Sequence, residues 1–432
     1  MLIRKINDYV RPYKVFRDMR KNLWLKTWEL ETLQWEKFKT LLDHAYENVP
    51  FYRGLIDSAG IRPKDIKSYD DVCKIPTITK SQIIDNRQHL MAGNINLRNC
   101  VEYKTSGSTG KNLYGYLTKD DALHIRGSYE RIRNENGFRM LRDKLLVISS
   151  PYRIPDKKAW YQYLGIRRIE RLNVLEPLDK QIEILKRIKP DVIWGFPSAI
   201  KLLAKAVQEK NIKGILPRLI FTVSEVLDSE TRNLINSVFS VELFDVYGAW
   251  ETACMAWECD SHSGYHATMD TVLIEFLDEH GNKVKGGGRG RVVVTNLHSF
   301  AMPIIRYEIG DFAIPKYEEC PCGRGGYLIE RIEGRYNDMV KLSGNKLITP
   351  QALYTTMEHI IGISEFRIVQ ENEDKIIVYV VKTDECRDSI IVNEITRKLN
   401  RALGDNITID TKFVESIPRE PSGKLRSVIS RV

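Results

Sequence analysis

The chain has 432 residues, of which 43% are hydrophobic and 28% are charged, and its formal net charge is +9. These values exclude a chain that is disordered throughout, and they provide enough apolar residues for more than one domain. No apolar run reaches the roughly 18 residues that a transmembrane helix needs. The positive charge is diffuse and no reader motif appears, which argues against nucleic acid and leaves anionic small molecules or an anionic membrane surface as partners.

The first forty residues are rich in lysine, arginine and tryptophan. They contain no apolar signal-peptide core and no small-residue cleavage site, so we expect a cytoplasmic protein. Trp24, Trp28 and Trp35 recur at intervals of four and seven, which predicts one face of a helix. Such a stripe indicates a helix that docks on the body of the protein. The alternative is an amphipathic helix in peripheral contact with a membrane or a partner.

Helical patterns follow over residues 30–60, and Thr79 is placed to cap another helix after a proline-marked turn. From about residue 140 to residue 248, apolar strand-like runs alternate with amphipathic helical runs. This alternation predicts βαβ units and a mostly parallel sheet, and therefore an α/β fold. Ligands bind at the carboxyl ends of such strands, where the runs "VSE" and "YGAWE" fall.

The helical period fades between residues 270 and 315, where glycine-rich turns join strand-like runs and predict a β-rich subdomain. Residues 350–432 give helix, strand, strand, helix and strand, which predicts a small α+β unit with its own core. We therefore predict two domains, a large one over residues 1–336 and a small one over residues 337–432. The sequence does not fix the oligomeric state.

The run "KTSGSTGK" at residues 104–111 combines four hydroxyl side chains, two glycines and a lysine at each end. Glycines let backbone N–H groups approach an anion, while hydroxyl and ammonium groups add donors and charge, so the run suits a polyphosphate. It is not a Walker A loop, because Thr105 occupies the first glycine position and Asn112 follows Lys111. Taken alone, it is equally compatible with a polar surface turn.

Four further runs follow in order, namely "DVYGAWE" (245–251), "IIRYEIGD" (304–311), "IEGRYNDMVKLSGNKLITP" (332–350) and "REPSGKLR" (419–426). Together with the loop they resemble the motifs of the adenylate-forming superfamily, which contains acyl-CoA synthetases, luciferases and peptide-synthetase adenylation domains. The runs "ENVPFYRGL", "WECDSHSGYH" and above all "CPCGRGGYLIERIEGR" resemble the phenylacetate–CoA ligase group. That group includes proteins of capsular-polysaccharide gene clusters.

The resemblance implies that the large domain binds ATP and a carboxylic acid and forms acyl-AMP and pyrophosphate. The acyl group would then pass to a thiol or amine, with coenzyme A as the first candidate. The small domain would be mobile and would carry a catalytic lysine, Lys424, which bridges the acyl carboxylate and the phosphate. Glu251 would hold Mg²⁺, a hard cation that shares its shell with phosphate oxygens. The β- and γ-phosphates would be held by Ser106, Gly107, Ser108, Thr109, Gly110 and Lys111.

The resemblance also implies an adenosine site. Tyr247 would stack beside adenine, Asp311 would accept hydrogen bonds from the ribose hydroxyls, and Arg335 would reinforce that end. Two positions depart from the family pattern. Trp250 stands where Thr or Ser usually precedes the glutamate, and Asn337 stands at the hinge position that is usually Asp or Lys.

Two pairs of residues on separate segments suggest a metal site. Cys259 and His266 form one pair, and Cys320 and Cys322 form the other. Three thiolates and an imidazole make a closed tetrahedral set, which predicts structural Zn²⁺ rather than a catalytic metal. The matching residues of phenylacetate–CoA ligase relatives resemble such ligands. His262 competes for the imidazole position, and the alternative is a set of reduced cysteines without metal.

Several alternatives remain open on the sequence alone. The acceptor could be a carrier protein or an amino sugar, and the acid could be a small acid or a sugar uronate joined by an amide or ester bond in capsular or surface polysaccharide biosynthesis. A non-catalytic ATP-binding scaffold is the third possibility. Phe196, Trp250 and Met255 are candidate walls of the acyl pocket, and their bulk suggests a small or flat acid. The remaining cysteines are predicted to be small core residues: Cys73, Cys100, Cys254 and Cys386.

Overall fold

The computed structural model describes residues 2–105, 113–151, 154, 162, 167–335, 338–342, 346–357, 360–383, 386–404 and 406–432. The chain forms two compact units, each built from two segments. The first unit contains Met1–Phe138 and Val246–Ile332, and the second contains Arg139–Asp245 and Glu333–Val432. The C-terminal residues thus group with an earlier segment of the chain, and the domain boundary near residue 337 stays a prediction.

The α-helices of the described residues, in chain order, are α1 Leu2–Asn22, α2 Thr27–Asn48, α3 Pro50–Ser58, α4 Lys80–Asp85, α5 Lys119–Glu135, α6 Leu178–Ile188, α7 Pro197–Glu209, α8 Ser229–Phe239, α9 Pro350–Met357 and α10 Asp388–Leu403. Short 3₁₀ turns lie at Pro63–Asp65, Tyr69–Lys74 and Leu97–Asn99. Within the described residues, no helix combines the length and the apolar character needed to cross a bilayer.

The strands, in chain order, are β1 Val101–Thr105, β2 Leu113–Leu117, β3 Leu145–Ser149, β4 Ile169–Asn173, β5 Val192–Gly195, β6 Leu219–Val223, β7 Leu243–Ala249, β8 Ala253–Glu258, β9 Tyr265–Ala267, β10 Val272–Leu277, β11 Gly290–Asn296, β12 Tyr307–Lys316, β13 Leu328–Arg335, β14 Val340–Leu342, β15 Lys346–Ile348, β16 Ile363–Asn372, β17 Lys375–Lys382, β18 Thr408–Phe413 and β19 Val428–Ser430.

In the first unit, the sheet order is β10–β11–β12–β13–β9–β8–β7. Antiparallel pairing joins β10, β11 and β12, and it also joins β13, β9, β8 and β7. This arrangement confirms the predicted β-rich region after residue 270. The helices α2 and α3 bury Phe38, Leu41 and Tyr52 in the same core as Phe276 of β10. As predicted, Thr79 caps α4, since its side chain accepts from the N–H of Gln82.

The prediction that all three tryptophans dock on the body is wrong for two of them. Helix α1 ends at Asn22, so Trp24 lies in the turn before α2 and does not share a helical face with Trp28. Their exposed fractions are 57% and 62%. Trp35 does pack inward, with ring centroids 5.6 Å from Phe38 and 5.1 Å from Tyr69.

The second unit contains the predicted parallel sheet. Strand β3 pairs in parallel with both β4 and β5, and β5 pairs in parallel with β6. Helices α6, α7 and α8 bury their apolar faces against these strands, for example with Leu185, Ile200 and Ile235 fully buried. Each strand and helix that the alternation predicted is therefore present. This segment of the second unit ends at Asp245, within β7.

The C-terminal part of the second unit has a four-stranded sheet in the order β18–β17–β16–β19. The separate hairpin β14–β15 precedes this sheet in the sequence. Strands β16 and β17 are antiparallel, whereas β18 and β19 pair in parallel with their neighbours. Helices α9 and α10 cover a core that includes Leu353, Ile368, Val378 and Ile395. The predicted small α+β arrangement is present, with β19 as an additional strand.

Candidate active site and metal centre

The candidate phosphate loop joins two paired strands. β1 and β2 form an antiparallel hairpin in which Thr105 lies opposite Leu113. The predicted phosphate-binding residues, Ser106 to Lys111, lie outside the described residues. The two described ends are fixed by the ladder and by burial of Tyr103 and Leu113. The candidate loop therefore begins after Thr105 and ends before Leu113.

The candidate adenosine residues Tyr247 and Asp311 are brought together. The Tyr247 hydroxyl donates a hydrogen bond to Oδ2 of Asp311 over 2.7 Å, although the two residues are 64 apart in sequence. Asp311 lies on β12 directly after Gly310, whose φ is +89°. After Tyr247, a Cβ on Gly248 would lie 2.6 Å from the Ala253 carbonyl oxygen, so only glycine fits. The motif glycines therefore shape the backbone around this pair.

Glu251 lies at the tip of the β7–β8 hairpin and is only 8% exposed. The side-chain amide of Asn296 donates to the backbone oxygen of Glu251 over 3.1 Å, which fixes this turn. Burial and, next, the nearby Glu251 carboxylate raise the pKa of Tyr103 above its ordinary value. Tyr103 belongs to β1, so the negative charge of Glu251 acts on the strand that precedes the candidate phosphate loop.

The candidate acyl-pocket residues differ in exposure. Met255 and Phe196 are buried, whereas 43% of Trp250 is exposed beside Glu251. Trp250, which departs from the family pattern, therefore lies in a turn and not in the core. Asn337, the second departure, lies outside the described residues.

Arg335 and Lys424 lie in the second unit. Arg335 is the last residue of β13. Lys424 belongs to a tight turn in which the Gly423 N–H donates to the Glu420 oxygen over 2.7 Å and the Glu420 N–H donates to the Lys424 oxygen over 3.0 Å. Gly423 has a φ of +84°, which favours glycine at this position. The run "EPSGK" is therefore a defined turn that presents the lysine.

The four predicted zinc ligands form one cluster in the first unit. Their ligand atoms all lie within 4.8 Å of one another. The sulfurs of Cys259 and Cys320 are 3.7 Å apart, and the sulfur of Cys322 is 3.3 Å from Nε2 of His266. A tetrahedral zinc with Zn–S bonds of about 2.3 Å separates two sulfurs by about 3.8 Å and a sulfur from a nitrogen by about 3.5 Å. The observed spacings fit that geometry.

Short antiparallel strands position these ligands. Cys259 directly follows β8, and His266 is the central residue of β9, where it pairs with Trp257 on one side and Leu328 on the other. Cys320 and Cys322 lie in the loop between β12 and β13, in a turn closed by the Gly323 N–H and the Cys320 oxygen at 3.0 Å. The cluster therefore joins two loops that follow different strands of one sheet.

Burial alters the proton affinity of the cluster. It raises the pKa of Cys259 to about 12 and lowers the pKa of His266 to about 4. Burial alone would also raise the pKa of Cys322, but hydrogen bonds from Arg324 and the neighbouring thiols outweigh it and lower that pKa. Zinc binds neutral imidazole and thiolates, so the shifts of His266 and Cys322 favour metal binding, whereas Cys259 must lose a proton when the metal binds.

His266, and not His262, belongs to the ligand group found among the described residues. His262 has a φ of +45° and lies with its Nδ1 3.7 Å from a Glu258 carboxylate oxygen. Of the two histidines that the sequence offers as the fourth ligand, His266 is therefore the candidate. Of the other cysteines, only Cys254 is buried; Cys73 is exposed, and Cys100 and Cys386 are half-buried, so the prediction of core positions is wrong for those three.

Arg324 is a residue that the sequence reasoning missed. Its guanidinium lies over the Trp24 ring at 5.0 Å and over the Trp257 ring at 5.4 Å. It also pairs with Glu135 at 3.4 Å. The only signal in the sequence was its place inside "CPCGRGG". Arg324 connects the ligand loop to the turn between α1 and α2, which explains the position of the exposed Trp24.

Comparison with known proteins finds relatives that align with most of the chain. A family profile described as the CapK C-terminal domain matches residues 341–431. Protein CapK of Staphylococcus aureus is 24% identical over 418 residues, covering 94% of this chain and 90% of CapK. Phenylacetate-coenzyme A ligase of Thermus thermophilus is 25% identical over 443 residues, covering 93% of this chain and 96% of the ligase.

A crystal structure of 2-hydroxyisobutyryl-CoA ligase in the postadenylation state, in complex with R3-HIB-AMP, has a similar fold. The TM-score is 0.79 at 20% identity, and the alignment covers 95% of this chain and 91% of the ligase. This likeness confirms the predicted α/β fold with a small C-terminal α+β part.

Proposed function

This chain is a homologue of the phenylacetate–coenzyme A ligases and of CapK with the fold of the adenylate-forming acyl-CoA ligases, and we propose that it activates a carboxylic acid with ATP. The products of the first step are acyl-AMP and pyrophosphate. In the second step the acyl group passes to the thiol of coenzyme A with release of AMP. The cytoplasmic location belongs to the same proposal.

The observation that carries this proposal is the hydrogen bond between Tyr247 and Asp311. It joins two motifs that are 64 residues apart in the sequence. An aromatic ring beside a carboxylate suits adenosine, because the ring stacks on the base and the carboxylate accepts hydrogen bonds from vicinal hydroxyls. Arg335 is proposed to reinforce this end.

In the first step a carboxylate oxygen of the acid forms a bond to the α-phosphorus, and the bond from that phosphorus to the pyrophosphate oxygen breaks. The reacting groups are all anionic, so the protein must orient them and neutralise their charge. Lys424 is proposed to bridge the acid and the α-phosphate. Loop residues 106–111 are proposed to hold the departing pyrophosphate.

Mg²⁺ is the metal expected with ATP, and its proposed protein ligand is Glu251. A buried carboxylate at a hairpin tip is a suitable oxygen ligand for a hard cation that also binds phosphate oxygens. When bound, Mg²⁺ supplies positive charge that offsets the charge of the phosphates. Asn296 keeps the Glu251 turn in place through its hydrogen bond to the backbone oxygen.

Zinc is proposed for the cluster of Cys259, His266, Cys320 and Cys322. The spacings of the sulfur and nitrogen atoms suit tetrahedral zinc, and four protein ligands leave no open position. The role is therefore structural, holding two loops and the neighbouring α1–α2 turn together. This function needs no contact with substrate.

A different acceptor is the second candidate. The resemblance to proteins of capsular-polysaccharide gene clusters motivates an amine or hydroxyl acceptor, such as an amino sugar, as the alternative to coenzyme A, and the CapK C-terminal domain profile matches residues 341–431. The first step and its residues would be the same. In that case the acid would be a small acid or a sugar uronate, and the product an amide or ester in surface polysaccharide biosynthesis.

The two acceptors are separated by one assay series. ATP–pyrophosphate exchange is measured with phenylacetate, 2-hydroxyisobutyrate, indoleacetate and glucuronate, and each active acid is then offered coenzyme A, a carrier protein and glucosamine. We expect exchange with at least one acid and thioester formation with coenzyme A. Exchange followed by transfer only to glucosamine would favour the second candidate, and no exchange with any of the four acids would show that none of them is the substrate.

A further inference from the structure

The turn that carries Lys424 is docked by contacts that no motif assigns. We define the lysine turn as residues 420–425. Its internal hydrogen bonds fix its shape, but they do not fix its place on the rest of the second unit. That place depends on residues from the parallel sheet and from α7, all of which belong to the same compact unit.

Glu225 is central to these contacts. It follows β6 directly after Ser224, whose φ of +75° is unusual for a residue with a side chain. Oε1 of Glu225 accepts a hydrogen bond from the Leu425 N–H over 2.7 Å. Oε2 accepts one from the Ser198 N–H in the first turn of α7 over 3.0 Å. One carboxylate therefore joins the lysine turn to the amino end of a helix.

Other contacts show that the turn fits this place closely. A Cβ on Gly423 would collide with Cγ1 of Val174 and would lie 3.4 Å from Cε2 of Phe196. The Ser150 hydroxyl donates to the Ser422 oxygen. Arg419 donates to the Ser198 hydroxyl over 2.7 Å and to the Gly423 oxygen over 3.1 Å. Glycine at position 423 therefore lets the turn approach Val174, which follows β4, and Phe196, which precedes α7.

We propose that Glu225 is a positioning residue that holds the lysine turn in the arrangement used for adenylation. Leu425 is the residue next to Lys424, so a bond to its N–H restrains the backbone from which the lysine side chain extends. A carboxylate can accept from both N–H groups at once, whereas an amide at the same position would place a donor against one of them. The inference rests on the proposed function, because it assigns Lys424 to the first step.

A purely structural role is the competing explanation. Glu225 also caps α7 through Ser198, and a negative charge at the amino end of a helix stabilises the helix. If capping were its whole role, its loss would lower the melting temperature and reduce both half-reactions alike. A positioning role affects the lysine turn and the first step selectively.

The first test needs no substrate. Hydrogen–deuterium exchange by mass spectrometry compares the wild type, Glu225→Gln and the control Glu230→Gln, which removes a 42%-exposed carboxylate paired with Lys201 on the same unit. We expect exchange in the peptide containing Leu425 to accelerate by about 10-fold or more in Glu225→Gln and to stay unchanged in the control. Unchanged protection of that peptide in Glu225→Gln would overturn the docking role, whether or not the protein proves to be a ligase.

The second test separates the half-reactions. For an acid that supports exchange in the wild type, Glu225→Gln should lower kcat of ATP–pyrophosphate exchange by about 10-fold or more with KM for ATP changed less than about 3-fold. Thioester formation from supplied acyl-AMP and coenzyme A should change less than about 3-fold. Equal losses in both half-reactions would overturn the proposal.

Gly423→Ala provides a second variant in case Glu225→Gln does not fold. It leaves the α7 cap intact but prevents the close approach of the turn to Val174. We expect the same selective loss of the first half-reaction and the same faster exchange at Leu425. Normal adenylation by Gly423→Ala would show that the docked turn is not required and would overturn the proposal.

Discussion

Individual side chains of the cysteine–histidine cluster carry the zinc proposal. Changing Cys322 to Ala removes one thiolate from a set of four, and changing Cys259 to Ser replaces a buried thiolate with a weaker ligand. We expect zinc to fall from about one per chain to well under one, and the melting temperature to fall by on the order of 10 °C. Elemental analysis of purified protein and a thermal melt measure both.

Cys100→Ala is the matched control for the cluster. Cys100 is half-buried and its thiol donates to the Asn96 oxygen, outside the ligand group. We expect this variant to keep its zinc and to melt close to the wild type. If the wild type itself contains well under one zinc per chain, or if the cluster variants keep theirs, the metal assignment is wrong.

The Tyr247 hydroxyl tests the adenosine site. Changing Tyr247 to Phe keeps the ring for stacking but removes the hydrogen bond to Asp311. That hydrogen bond orients the Asp311 carboxylate for the proposed ribose contact, so KM for ATP should rise by about 10-fold, which corresponds to about 1.4 kcal/mol of binding free energy. Steady-state exchange at varied ATP measures the effect.

The control for this substitution is Tyr317→Phe, since the Tyr317 ring is about half exposed and its hydroxyl lies 3.5 Å from the Val284 oxygen. We expect its KM for ATP to equal that of the wild type. An unchanged KM in Tyr247→Phe would remove this pair from the nucleotide site.

Among the secondary-structure elements, the turn between α1 and α2 depends on the loop between β12 and β13, which contains the proposed ligands Cys320 and Cys322. The Gly325 N–H donates to the Leu23 oxygen over 3.0 Å, and a Cβ on Gly325 would collide with the Leu25 oxygen. Gly325→Ala should therefore displace this turn, lower stability by about 1–3 kcal/mol and speed proteolysis of the N-terminal segment. Urea unfolding and limited trypsin digestion measure these effects.

Gly54→Ala is the comparison for that variant, because it lies in α3 with open space around it. It should be neutral or slightly stabilising, since alanine is favoured over glycine inside a helix. Equal stability of Gly325→Ala and Gly54→Ala would contradict the tight packing between the loop and the turn.

The elements could be predicted where their periodicity was strong. Between residues 140 and 248, alternating runs predicted four strands and three helices that the structure contains, because amphipathic helices and buried strands leave clear patterns. Strand β4 ("IERLN") was not predicted, because its polar residues hide the apolar period. Strand β19 was missed because three residues carry no period. Trp24 does not continue the helical stripe because α1 ends at Asn22, and its ring instead contacts the guanidinium of Arg324, 300 residues away in the sequence. Trp28 lies in the first turn of α2 and is exposed.

The candidate site, too, could be predicted only where the sequence carries a local pattern. Spacing and the family resemblance together indicated four candidate zinc ligands, with His266 preferred to His262, and the pairing of β9 with its neighbours places His266 in the cluster. Glu225 stood out only as a residue at a strand end. Its bonds to Ser198 and Leu425 join segments that are 27 and 200 residues away, and such contacts have no local pattern in the sequence.

For the protein as a whole, buried histidines predict the effect of mild acid on stability. Burial and then the charge of Lys37 lower the pKa of His298 well below 6.5, and burial lowers the pKa of His124, whose ring stacks on His298 at 3.9 Å. The folded state keeps both rings neutral, while the unfolded chain protonates them below about pH 6.5. The unfolded state then binds more protons, so stability is lost as pH falls below about 6.5.

We therefore expect the free energy of unfolding to fall between pH 7 and pH 5 by up to about 1.4 kcal/mol per pH unit for each ring. Urea unfolding at several pH values measures the slope. His280→Gln removes a highly exposed histidine and should leave the slope unchanged. A free energy of unfolding that stays constant or rises as pH falls from 6.5 to 5 would contradict buried neutral histidines.

Acyl-AMP formation with Lys424 as the bridging residue is tested most directly by ATP–pyrophosphate exchange in Lys424→Ala, with Lys412→Ala as the control on β18. For an acid that the wild type activates, we predict that exchange by Lys424→Ala falls by at least about 100-fold while Lys412→Ala exchanges normally. Exchange by Lys424→Ala at the wild-type rate would contradict the mechanism.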